Sequence, residues 1–249
     1  MSSLAAEYCT QIKDNFKKFF AAFPPNDPLE LGDFGILNSD IPTRLGNIKK
    51  FGITFTPRHG IAEASLVDFT SKGSVEVEFS AAVEASPGTV PIKAGLEIKF
   101  SRENSVFFNA AKCTIDAIED QVALGEQILK LHEAGSWDKN YVVVTSLMKA
   151  ASTTIVVSST SNSSIKFEAS TPGVKEIDLA DASLKLSIKR FKDVALKIPT
   201  SGGLTPLIGL SKIHGGIFSP DDFGPIKLAL STQTLKGSIK AVPAFGSID

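Results

Sequence analysis

The sequence predicts an α+β protein: a twisted, mostly antiparallel β-sheet with long hairpins, an N-terminal amphipathic helix, and additional helices packed on the sheet. Three observations predict it. Apolar residues recur at spacings of three and four near the N-terminus, and at spacings of two over much of the remaining chain. Glycines and prolines punctuate the alternating runs. Two of these runs flank Ser86-Pro87-Gly88, a turn in which proline sets φ and glycine takes a positive φ. With 249 residues, 43% of them apolar and 21% charged, the chain has the material for a substantial core.

Leu4, Tyr8, Ile12, Phe16, Phe19, Phe20 and Phe23 fall on one face of a helix over residues 4–23, which Pro24 and Pro25 stop. Lys13, Lys17 and Lys18 lie toward its other side. Such a helix either packs on the core or lies on a membrane, aromatics down and lysines at the headgroups. Short strands broken by Gly32, Gly35, Pro42 and Gly46 come next, and Phe51, Ile53 and Phe55 alternate as a half-buried strand would. Val75, Val77, Phe79, Ala81 and Val83, then Ile92, Ala94, Leu96, Ile98 and Phe100, form a hairpin with arms of about ten residues, longer than the usual five or six. A second helix is expected over 115–134, with Ile115, Ile118, Val122 and Leu129 on one face and Gly135 as its stop.

Tyr141–Val144 reads as a buried strand, and the chain then runs uncharged and rich in Ser and Thr from Lys149 to Lys166. Leu184, Leu186 and Ile188, and then Val194, Leu196 and Ile198, alternate again; "LTPLIGLSKIHG" is one more strand, and the stretch from Ser219 reads as a tail. The expected division is a domain over 1–218 and a tail over 219–249.

Charge and motif content exclude several function classes. The net charge of −1 gives no global attraction to nucleic acid, and basic residues are not interleaved with aromatics along a strand face. Two cysteines, Cys9 and Cys113, rule out a disulfide framework and suit a reducing compartment. His59, His132 and His214 have no partner at metal-ligand spacing, and no nucleotide-binding or hydrolase motif is present. "GLSKIHGG" reads as strand and turn, and Asp221-Asp222 as a solvated turn. No enzyme activity, cofactor or metal is expected. Neither a signal peptide nor an 18-residue apolar window is read in the chain, so a form made soluble in the cytosol is expected.

Amphipathicity remains. Lys185, Lys189, Arg190 and Lys192, with the N-terminal lysines and Lys49 and Lys50, offer anionic lipid ~1 kcal/mol per cation near the surface. The alternative is an edge strand kept from aggregating by lysines. Ten residues at ~3.3 Å span roughly 33 Å, the reach of a membrane β-strand. A soluble sandwich shows the same alternation.

The order of elements resembles the gasdermin pore-forming domain. Asn140, Tyr141, Val142, Val143, Val144 and Thr145 match a helix-to-strand motif of that family, and Ile198, Pro199, Gly203, Leu204 and Leu210 match a second. The order of elements fits over residues 1–216, and those two stretches match by residue. The resemblance is to single-domain forms, as in bacterial gasdermins with a short inhibitory peptide or fungal allorecognition proteins, the fungal type being the closer; the large C-terminal inhibitory domain is not expected.

The resemblance implies acidic-phospholipid binding (cardiolipin or phosphatidylserine type), assembly with copies of itself or with a related allelic protein, and a β-barrel pore that lyses the cell. Two segments, roughly 74–100 and 153–190, would insert as hairpins, with Val75, Val77, Phe79, Ala94, Leu96, Ile98, Ile165, Phe167, Leu184 and Leu186 facing lipid. The uncharged stretch would be an arm or tip, or simply a loop at 158–164. Cys9 would be a lipidation site, or a small buried side chain. Ala94, small and near a strand centre, is expected to tolerate arginine in the soluble fold.

Overall fold

The computed structural model describes residues 4–25, 27–87, 90–171, 173–200, 203–216 and 219–226. In chain order its elements are helix α1 (Leu4–Phe16), strands β1 (Phe20–Ala21), β2 (Asp33–Asn38) and β3 (Ile41–Asn47), a 3₁₀ turn at Ile48–Phe51, then β4 (Pro57–Arg58), β5 (Glu63–Thr70), β6 (Val75–Ser80), β7 (Gly95–Phe100) and β8 (Val106–Ile118). Helix α2 (Gln121–Glu133) comes next, then β9 (Val142–Ser158), β10 (Ser163–Ala169), β11 (Leu186–Lys192), β12 (Val194–Thr200), β13 (Leu204–Gly216) and β14 (Ser219–Pro225). The protein is α+β, mostly antiparallel sheet with an N-terminal helix.

β9, 17 residues long, is the spine of a ten-stranded sheet. One edge pairs with β8, from Ala117↔Ser146 to Val106↔Val157. The other pairs with β13 along its first half and β12 along its second. Four more strands, β6, β7, β10 and β11, form a separate sheet in the order β11-β10-β7-β6. In the second half of β8 and β9 the period-two alternation serves two cores. Val106, Phe108, Ala110, Ile155 and Val157 face Tyr8, Cys9 and Ile12 of α1. Phe107 and Val156 face the apolar side of the small sheet. A third core joins Phe34, Ile48, Val142, Val144 and Ile208 to Leu124 and Ile128 of α2.

This layering explains the uncharged stretch. Residues 155–158 are buried throughout, and Thr153 and Thr154 with them, so a charge there would lose its hydration. The Ser158 hydroxyl serves as an internal partner: its Oγ donates to the Arg102 carbonyl at 2.7 Å and accepts from the Ser105 N–H at 2.9 Å. Only Ser159–Asn162 form the turn into β10.

Four local expectations are corrected. The first helix ends at Phe16: Lys17 has φ 46°, and Phe20 leaves the helical register to pair with Ile208. The aromatic run is thereby divided, Phe20 entering one core while Phe16, Phe19 and Phe23 pack on another. Phe51, Ile53 and Phe55 are not a strand; Asn47 and Gly52 (φ 76°) cap a single 3₁₀ turn, after which Ile53 alone of the three is fully buried.

The second helix begins at Gln121, because Ile115 and Ile118 belong to β8. Asp120 caps it, accepting from the Ala123 N–H at 2.8 Å, and Val122, expected on its apolar face, is 75% exposed. Gly135 does end it, at φ 71°. Finally, the first hairpin has six paired residues per arm, not ten, with one isolated bridge beyond at Val83↔Ile92. Gly88 of the expected turn lies outside the described residues.

Candidate functional site

Of the two segments expected to insert, the second joins the first only from Ser163 on, because Thr153–Ser158 belong to β9 in the larger sheet. β6–β7 pairs from Val75↔Phe100 to Ser80↔Gly95, β7 pairs with β10, and β10 with β11. Their inner face is apolar: Ala94, Leu96, Ile98, Ile165 and Phe167 are fully buried, Leu184 is buried at the sheet's margin, and Val75, Val77, Leu186 and Ile188 pack around them. Phe79 and Phe191, near the ends of the two edge strands, are 57% and 54% exposed. The outer face is charged and self-paired, with Glu78 on Lys99, Glu97 on Arg190 at 3.2 Å, and Glu168 on Lys189. The hydrogen bond from Lys99 to Glu78 raises the lysine pKa.

Ala94 is fully buried and its carbonyl accepts the Ala169 N–H at 3.0 Å, so it has no room for arginine. This fold is therefore expected to lose stability on Ala94→Arg, which corrects the expectation that this residue tolerates charge.

The expected lipid-binding cations do not converge. Lys13 is held by Asp40, at 3.0 Å, in the β2–β3 turn, while Lys17 and Lys18 just beyond are exposed. Lys49 and Lys50 lie past the other end of β3, seven residues and roughly 20 Å away. Lys50 lies 4.5 Å and 4.9 Å over the rings of Phe34 and Phe51, which stack with Trp137 and Tyr141. Lys185 and Lys192 are exposed at the small sheet, where Lys189 and Arg190 are already paired.

Cys9, on the inner face of α1, is completely buried, and Cys113 is buried in the same core. Burial, with Asp40 nearby, pushes the Cys9 thiol up to about 12; burial pushes Cys113 up to about 11. Acylation of Cys9 therefore requires α1 to leave the sheet.

One charged cluster had no signal in sequence, because its members lie far apart along the chain. Asp116, on β8 and 4% exposed, accepts from the Lys149 ammonium at 2.6 Å, from the Gly60 N–H at 3.1 Å, and pairs with His59 Nδ1 at 2.8 Å. Burial opposes its ionisation, but these hydrogen bonds outweigh it and hold the pKa at about 2. These bonds tie the 59–60 loop and β9 to β8.

The residues of "GLSKIHGG" are engaged structurally: Ser211 Oγ bonds Thr145 Oγ1 at 2.9 Å, and His214 Nε2 lies 3.0 Å from the Gly224 carbonyl. Asp221 bonds Lys139 and lies 3.4 Å from His132 Nε2, fastening β14 to the end of α2. The boundary expected at 218 thus falls between two strands that pair with each other. Among the described residues no group of His, Cys, Asp or Glu is arranged to hold a metal, and no helix is long and apolar enough to cross a membrane. No known family model matches the chain, and no curated protein matches it as a relative.

Proposed function

We propose that this chain is a pore-forming protein of the gasdermin type that binds acidic phospholipids, oligomerises, and inserts a β-barrel that lyses the cell. One observation carries the reading. Two segments distant in sequence, 75–100 and 163–192, lie side by side in a sheet of their own, each apolar inward and charged outward.

That alternation is what a barrel stave needs, one face toward lipid and one toward water. The Val83↔Ile92 bridge falls on the same register as Ser80↔Gly95. Closing the gap between them would give a long hairpin with paired arms over 75–83 and 92–100. At ~3.3 Å per residue those nine-residue arms reach roughly 30 Å, the thickness of a bilayer core. Lys17 and Lys18 at the end of α1, and Lys185 and Lys192 at the small sheet, are exposed cations that could meet headgroups. In this reading the soluble form is cytoplasmic, the active form sits in an anionic membrane, and the twisted small sheet is the part that refolds.

The rival reading is a β-rich module that binds lipid or protein and never inserts. The burial of β9 favours it, because burial accounts for the missing charges over Thr153–Ser158.

Dye release from phosphatidylserine- or cardiolipin-containing vesicles separates the two readings, with Phe79→Arg as the probe. Phe79 is half-exposed, so the soluble fold should keep its circular dichroism spectrum, whereas a barrel would carry the arginine on its lipid face at ~2–4 kcal/mol near the midplane. Expected are release by the wild type and a strong loss in a folded Phe79→Arg variant that still sediments with vesicles. A wild type that binds without release would leave the binding module.

A further inference from the structure

The two sheets share four strand paths. β5, β8, β9 and β12 are neighbours in that order in the large sheet, and β6, β7, β10 and β11 are neighbours in that order in the small one. Each large-sheet strand is joined directly to its small-sheet counterpart, through residues 71–74, 101–105, 159–162 and Asp193. Along these four crossings the sheets are one ribbon bent at a joint. Each crossing holds one residue in the left-handed region: Gly73 at φ 67°, Asn104 at 55°, Asn162 at 63° and Asp193 at 51°. Gly, Asn and Asp are the residue types that enter that region most readily.

A bend interrupts the ladder, and the backbone groups it frees need other partners. Serine hydroxyls supply them. Ser71 Oγ accepts from the Val106 N–H at 2.8 Å, Ser74 Oγ donates to the Ser71 carbonyl at 3.1 Å, and Ser105 Oγ lies 2.8 Å from Ser74 Oγ. Ser158 and Ser163, at the two ends of the third crossing, bond the second and the fourth, Ser158 through Arg102 and Ser105 and Ser163 through the Asp193 carbonyl. Helix α1 reaches this line with Gln11. Gln11 Nε2 donates to the Asn104 carbonyl at 2.8 Å, and Gln11 Oε1 accepts from Ser71 Oγ at 2.6 Å. With its proton committed to Gln11, the Ser71 hydroxyl presents a lone pair to the Val106 N–H. One side chain of α1 thus fastens two crossings, 71–74 and 101–105.

We infer that Gln11 is a bolt across the joint between the two sheets: while α1 is seated the joint stays shut, and it opens only after α1 lifts and withdraws Gln11. Lifting α1 does not itself need an open joint, so control runs from the helix to the joint. The bolt belongs to this fold whether or not the small sheet enters a membrane; its use as a trigger for insertion rests on the proposed function.

The test is amide hydrogen exchange of the full chain, read at residues 101–106 and 158–159. Gln11→Leu keeps a good helix former and removes both bonds. It should speed exchange at these amides several-fold and leave the amides between β9 and β13 at wild-type protection. Leu4→Ala, in the first turn of α1, loosens the helix without touching the joint. It should speed exchange at the joint in the wild-type background and add nothing in the Gln11→Leu background, a non-additivity that simple loss of stability does not give.

The unmodified protein supplies a further reading. In sub-denaturing urea its joint amides should show at least the protection that Cys9 shows against labelling, once each is corrected for its intrinsic rate. Joint amides less protected than Cys9, wild-type exchange at the joint in Gln11→Leu, or an equal effect of Leu4→Ala in both backgrounds overturns the inference. Dye release from phosphatidylserine vesicles keeps the two readings apart. A bolt that acts as the trigger makes Gln11→Leu release faster than the wild type. No release from either protein removes the pore reading and leaves the bolt to the exchange data; release with no change at the joint in Gln11→Leu does the reverse.

Discussion

Phe107 and Phe108 are consecutive on β8 and sit in different cores, Phe107 under the small sheet and Phe108 under α1, where its ring is 5.4 Å from that of Phe16. The strand pair β8–β9 is thus a middle layer with an apolar lid on each side, and each lid is joined to it by its own set of side chains. The layer is rigid by construction, since a strand buried on both faces can neither slip nor flip without exposing one set.

Truncating the two phenylalanines should separate the lids. Phe108→Ala is expected to cost about 3–5 kcal/mol in urea unfolding and to speed modification of Cys9, which α1 shields. Phe107→Ala should cost a similar amount and leave Cys9 protected. Equal labelling in the two variants would mean that the lids do not open independently.

The thiols offer a direct check on that layer. With Cys9 pushed up to about 12 and Cys113 to about 11, both by burial, native protein at pH 8 should react with an aromatic disulfide reagent far more slowly than free cysteine does. Both thiols should titrate promptly in denaturant. A thiol that reacts at once in the native protein would show that α1 is not seated on the sheet.

Acid stability should report Asp116. Its folded-state pKa, about 2, lies below the ordinary value near 3.9, so its contribution is present above pH 4 and is lost as the pH falls toward 2. The contribution is of the order of 2 kcal/mol. Asp116→Asn should lower stability at pH 7 and flatten the pH dependence between 4 and 2, as measured by urea midpoints. A variant whose stability still falls as steeply over that window would assign the acid sensitivity to other carboxylates.

Much of the sheet was legible because alternation writes one face at a time. That Val77, Phe79, Leu96 and Ile98 share a face was readable from their alternation, and the structure pairs Val77 with Ile98 and Phe79 with Leu96. What alternation hides is a strand buried on both sides. β8 reads Val106, Phe107, Phe108 and onward without a polar face, and its last residues, Ile115 and Ile118, have helical spacing, so it merged with α2. The same two-sided burial made the Ser/Thr-rich part of β9 look like an exposed hairpin arm. The ion pairs of the outer face were illegible for another reason: Glu97 meets Arg190 only because β10 lies between their strands.

Two explanations of the uncharged stretch predict different things in its turn. If burial in β9 is the whole reason, charge is excluded at Thr153–Ser158 but tolerated at Ser159–Asn162, which are exposed. If the turn must also cross a bilayer, charge is excluded there too, though only in the membrane-bound state. Ser161→Lys should therefore leave the urea midpoint within experimental error and, on the pore reading, reduce dye release strongly. Thr153→Val is the counterpart inside the strand. The Thr153 hydroxyl is buried without a hydrogen-bond partner among the described residues, so replacing it with a methyl of nearly the same shape should be neutral or stabilising by up to about 1 kcal/mol. It should leave release unchanged. Should Ser161→Lys permeabilise vesicles like the wild type, the turn does not cross lipid, and the absence of charge between Lys149 and Lys166 belongs to the folding of β9 alone.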